Sequence, residues 1–126
     1  MKEKIKRTIL MGIVIACFSS TAVMAASYNF SLMTGSVGYT GFVTKSNSLA
    51  TASVKCNTLN YPSATMKYRV RNSSYTQIGS STKQGTGSVS VTYTKTVAKG
   101  ATVSLGVENL SSNGGVTITT TGTWTP

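Results

Sequence analysis

The chain has 126 residues, room for one domain, and carries twelve Lys and Arg against two Asp and Glu, with no His and a formal net charge of +10. That composition leaves no paired carboxylates, no Ser-His-Asp or Cys-His set, and no plausible zinc or calcium ligand set. The expectation is a non-enzymatic protein without metal or cofactor, whose charge has to be explained by a partner.

Residues 1–25 read as a signal peptide. Lys2, Lys4, Lys6 and Arg7 precede an apolar run from Ile9 to Phe18, and a small-residue stretch ending Val23-Met24-Ala25 follows. The run is about ten residues, half of what a membrane-spanning helix needs. Cleavage after Ala25 would export residues 26–126 as one domain. A competing reading takes Val14-Ile15-Ala16-Cys17 as a lipobox and anchors the protein through a lipidated Cys17. Removing residues 1–25 takes four of the twelve cations and one of the two acids. Eight cations then face the single carboxylate of Glu108, a net charge of +7, which attracts anionic polymers and lipid surfaces. Only Cys56 remains, in phase with Ala50, Ala52 and Val54, so burial is expected rather than an intermolecular disulfide.

From Ala26 onward, short runs of alternating apolar and polar residues are separated by Gly, Asn, Ser and Pro, and no helical period is visible. Strands are expected at Tyr28–Leu32, at Val37–Thr44 with Val37, Tyr39 and Val43 on one face, and at Leu49–Cys56. Pro62 closes the third. Ala64–Arg71 follows, then a weak strand at Tyr75–Ile78 and a polar loop at Gly79–Gly87 that contains Lys83. Ser88–Val97, Ala101–Asn109 and Val116–Trp124 complete the set, the last preceded by the tight-turn signal Asn113-Gly114-Gly115. Seven to eight short strands after an N-terminal signal helix predict an all-β domain, a small antiparallel β-sandwich or barrel.

The stretch Ala64–Arg71 carries the functional expectation. Met66, Tyr68 and Val70 alternate with Lys67, Arg69 and Arg71, so a half-buried strand would set the three cations in a row, roughly 6.5–7 Å apart. We take Lys67, Arg69 and Arg71 as an anion-binding ridge, with Lys55 and Lys83 extending its field; Lys45, Lys95 and Lys99 are the other cations. Serine–lysine catalysis would require a desolvated lysine, and Lys45, Lys83 and Lys99 all fall in turn-like surroundings. Nucleic acid is not the expected physiological partner, because base stacking needs aromatics on the cationic face and the alternation puts Tyr68 on the other.

Outside a cell the remaining anions are wall polymers, acidic polysaccharides and lipid headgroups, with peripheral contact at a membrane surface. An exported, compact, β-rich and strongly cationic chain without catalytic groups resembles small β-sandwich bacteriocins in overall type, a likeness that no motif carries. The resemblance implies a secreted antibacterial protein directed at Gram-positive envelopes. The alternative is a non-toxic surface or matrix component held on wall polymers by charge.

Overall fold

A computed structural model describes residues 26–34, 37–111 and 117–126. The expected signal segment 1–25 and the tight turn expected at Asn113-Gly114-Gly115 lie outside the described residues. Nine strands form: β1 (Tyr28–Thr34), β2 (Val37–Tyr39), β3 (Val43–Thr44), β4 (Thr51–Leu59), β5 (Thr65–Asn72), β6 (Gln77–Gln84), β7 (Gly87–Thr92), β8 (Thr102–Asn109) and β9 (Ile118–Thr125). They make two antiparallel sheets, ordered β1-β9-β4-β7 and β2-β8-β5-β6, with β3 also pairing to β8. No described residue is helical. The protein is an all-β sandwich.

Period-two sequence builds this core directly. Ala52, Val54 and Cys56 from β4 and Ile118 and Trp124 from β9 face Met66, Tyr68 and Val70 from β5 and Val103, Leu105 and Val107 from β8, all 2% exposed or less. Cys56 is a free, buried thiol within hydrogen-bonding distance of the Thr58 carbonyl and the Thr120 hydroxyl. Only β5 and β6 are both adjacent in sequence and hydrogen-bonded to each other; the other described connections cross between sheets or run along β8. Gly122 is fixed by close approach, since a Cβ there would run into the Lys55 carbonyl and come within 2.8 Å of the Phe30 ring.

Three sequence expectations change. The stretch expected as a loop at Gly79–Gly87 is mostly strand β6, paired with β5 from Thr65↔Gln84 to Arg71↔Gln77. Its inward positions are Gly79, Ser81 and Lys83, so no apolar alternation announces it. β5 supplies the ladder, and the Ser81 hydroxyl donates to the Ser90 carbonyl at 2.6 Å. The run Val37–Thr44 is broken into β2 and β3, and the register against β8 slips by one residue between Tyr39↔Gly106 and Val43↔Val103. A one-residue slip reverses the face: Val43 packs on the core while Tyr39 points outward. The strand expected to run to Val97 stops at Thr92, which leaves Lys95 exposed in the loop that follows.

Candidate anion-binding face

β5 is a central strand of the five-stranded sheet, so its two faces have opposite environments. Met66, Tyr68 and Val70 are fully buried, and Lys67, Arg69 and Arg71 stand half-buried in a row on the outer face. Opposite them on β8 lie Glu108, Gly106 and Ser104 in turn, and β6 places Thr82 and Ser80 beside Lys67 and Arg69. Each cation has its own surroundings.

Glu108 sits across from Lys67 in register but forms its ion pair diagonally, with the Arg69 guanidinium. The two side chains are 19% and 23% exposed, so the pair is shielded more than an ordinary surface pair. The only acidic side chain of residues 26–126 is thus spent on the middle of the cationic row. Lys67 has no carboxylate partner among the described residues.

Arg71 is enclosed by aromatic rings. Its guanidinium carbon lies 3.7 Å from the Tyr39 ring centre, 4.8 Å from that of Tyr75 and 5.3 Å from that of Phe42. Phe42 and Tyr75 meet edge to face at 5.6 Å. The Nε of Arg71 is buried without an acceptor, and among the described residues none reaches the rest of the guanidinium. Cation–π attraction stabilises the charge there in place of a carboxylate. Tyr39 reaches this position by lying over Gly106: a Cβ at 106 would strike the Tyr39 ring and come within 2.9 Å of Arg69 Cγ. Tyr75 is presented by the β5–β6 turn at φ 63°, a left-handed backbone that few residues other than glycine adopt. The Asn72 side-chain oxygen accepts from the Ser74 and Thr76 amides at 3.0 Å each and fastens the turn.

The other two cations of the expected site stand elsewhere. Lys55 is exposed on the outer face of the opposite sheet, between Thr123 and Ser88, in a surface of Ser and Thr hydroxyls. Lys83 is half-buried on β6 in core phase, at the margin between the two sheets, with its aliphatic end over Gly87. The ridge is the three β5 residues, and neither Lys55 nor Lys83 adjoins it to extend its field. Sequence reasoning missed Tyr39, Phe42 and Tyr75, because the register slip and the left-handed turn that turn two of these rings outward leave no trace in a period-two pattern.

Lys45 also departs from expectation. It is fully buried, not exposed in a turn. Its Nζ donates to the Asn47 Oδ1 at 2.6 Å and to the Pro126 backbone oxygen at 3.3 Å, 5.3 Å from the Tyr93 ring centre. Burial lowers its pKa from the ordinary lysine value. No serine hydroxyl is among its partners, so the ammonium group ties the β3–β4 connection to the end of β9. Burial also pushes the Tyr93 phenol up to about 12 and, with the neighbouring Cys56 thiol, raises that of Tyr68 well above the usual range; among the described residues neither hydroxyl makes a hydrogen bond of normal geometry. An open depression of about 390 Å³ near Asn72 and Gly100 is lined by one cation, Lys95, and no acid. Among the described residues no group of three His, Cys, Asp or Glu could hold a metal ion. No protein-family model matches the chain, and no curated protein matches it either.

Proposed function

We propose that this protein is a secreted, non-catalytic, cationic β-sandwich that binds anionic components of bacterial envelopes and acts as an antibacterial protein in the manner of bacteriocins. The observation that carries the reading is the outer face of the five-stranded sheet, where Lys67, Arg69 and Arg71 are aligned with one acid among them. A rigid sheet holds these charges in place before any ligand arrives, so little ordering entropy is lost on binding. Arginine suits a phosphate-rich ligand because its planar fork donates two parallel hydrogen bonds.

Among the described residues no helix is long and apolar enough to cross a membrane. The action proposed is attachment to a wall polymer or precursor, with a lipid surface as a peripheral contact. The test applies purified protein to growing Gram-positive strains and to isolated cell walls and anionic vesicles over a series of salt concentrations. Retention that weakens with salt, together with growth inhibition, is the expected result. Absence of retention at low salt refutes the reading, and retention on the producer's walls without inhibition of any strain would assign a surface component instead.

A further inference from the structure

Arg71 differs from the rest of the cationic row. The Arg69 charge is answered by Glu108, whereas Arg71 is surrounded by rings and keeps its terminal N–H groups without an acceptor among the described residues. Two of those rings are open to solvent: Tyr75 is 69% exposed and Phe42 38%. A brace that only packed Arg71 would cover them. Tyr75 is exposed from a left-handed backbone position that disfavours a bulky side chain, and the turn does not need it there, since Asn72 makes the closing hydrogen bonds.

We propose that Arg71, Tyr75 and Phe42 form a recognition subsite for a phosphodiester-linked polymer that bears hexose units. Resting on the envelope-binding reading above, this names the ligand class the face selects. The guanidinium plane is backed by Tyr39 at 3.7 Å and its Nε is buried, so the terminal Nη edge remains for a phosphate, which accepts its two N–H groups in a bidentate pair. The C–H face of a pyranose packs on an aromatic face, as the positive edge of one ring packs on the negative face of another. A hexose beside the phosphate would thus lie against Tyr75 and Phe42 while the phosphate meets Arg71, and the ammonium of Lys67, two ridge steps or roughly 13–14 Å further along β5, is placed for a later phosphate of the same polymer. Charge complementarity commits the site to an anion, and the exposed rings favour one carrying a sugar over a lipid headgroup.

The experiment compares retention of the protein on immobilised poly(glycerol phosphate) with hexose substituents, on the same polymer without them, and on phosphatidylglycerol vesicles. The wild-type protein is expected to bind the hexose-bearing polymer about tenfold more tightly than the bare one. Tyr75→Asn, chosen because asparagine tolerates left-handed backbone, should weaken binding to the hexose-bearing polymer more than binding to the bare one and so erase that preference. Arg71→Lys should weaken binding to both polymers, since the ammonium lacks the planar fork. Thermal unfolding of each variant shows that the fold is kept. Equal binding of both polymers by the wild type, or a preference that survives Tyr75→Asn, overturns this inference and leaves the envelope reading standing. Tighter binding to the vesicles than to either polymer overturns it in favour of a lipid surface. No retention on any of the three removes both.

Discussion

Replacing Glu108 by Gln should make this protein bind polyanions more tightly while making it less stable. The Arg69–Glu108 pair is only about one-fifth exposed, so losing it costs more than a typical surface pair, about 1 kcal/mol and up to 2. For a domain of about 100 residues that lowers the melting temperature by roughly 4–8 °C per kcal/mol. The binding side runs the other way. A phosphate docked on the ridge would sit roughly 6 Å from Glu108, the spacing of neighbouring positions on a sheet face. Removing that repulsion is worth about 0.7 kcal/mol in water and about 2.8 kcal/mol at an effective dielectric constant of about 20. The half-exposed face belongs near the lower figure, so affinity should rise about threefold to tenfold at low salt. Freeing Arg69 should also steepen the dependence of log affinity on log salt by about one contact, by analogy with other linear polyphosphates. Calorimetry against poly(glycerol phosphate) at several ionic strengths, with thermal melting alongside, reads both effects. Unchanged or weaker binding by a folded E108Q protein would refute the claim that this face receives anions.

Other expectations follow from the same geometry. Asn47→Ala removes the best acceptor of the buried Lys45 ammonium and should cost about 1.5–3 kcal/mol, measured by denaturant unfolding. Gly106→Val should push Tyr39 off the sheet, uncover Arg71 and weaken hexose-dependent binding, which titration with the substituted polymer would detect. Because burial holds the folded Tyr93 pKa at about 12, above its ordinary value of 10.0, its stabilising contribution is complete below pH 10 and is lost as pH rises toward 12. Alkaline unfolding followed by circular dichroism should therefore begin above pH 10. Tyr93→Phe should move it upward and, by removing an unpartnered hydroxyl, leave neutral-pH stability no lower.

The core strands were legible because burial is written into alternation: β4, β5 and β8 carry apolar residues at every second position along most of their length, and β9 places Ile118 and Trp124 in phase, with Thr120 and Gly122 between them. The β5 ridge followed from the same rule, since a strand with one buried face must present the other. The Gly79–Gln84 part of β6 was not legible, because beyond the buried Ile78 its inward positions are Gly, Ser and Lys, and backbone pairing with β5 rather than apolar alternation defines it. The burial of Lys45 and the ring enclosure of Arg71 depend on contacts between residues distant in sequence, Pro126 with Lys45 and Tyr39 with Arg71, which no local pattern encodes. The position of Lys55 needed the sheet order: only when β4 and β5 are assigned to different sheets does Lys55 fall on the far side of the molecule from Arg69.

The most direct measurement is the salt concentration at which the protein leaves isolated Gram-positive cell walls, for the wild type and for K67S/R69S/R71S/E108Q, in which no carboxylate is left unpaired. None of the four side chains belongs to the apolar core; loss of the Arg69–Glu108 pair costs about 1–2 kcal/mol and Arg71 loses its ring contacts, so thermal melting of the variant accompanies the measurement. A ridge that grips polyanions predicts release of the variant at markedly lower salt, with a slope of log retention against log salt shallower by about two to three contacts. Identical elution of the two folded proteins would mean that this face only sits in solvent.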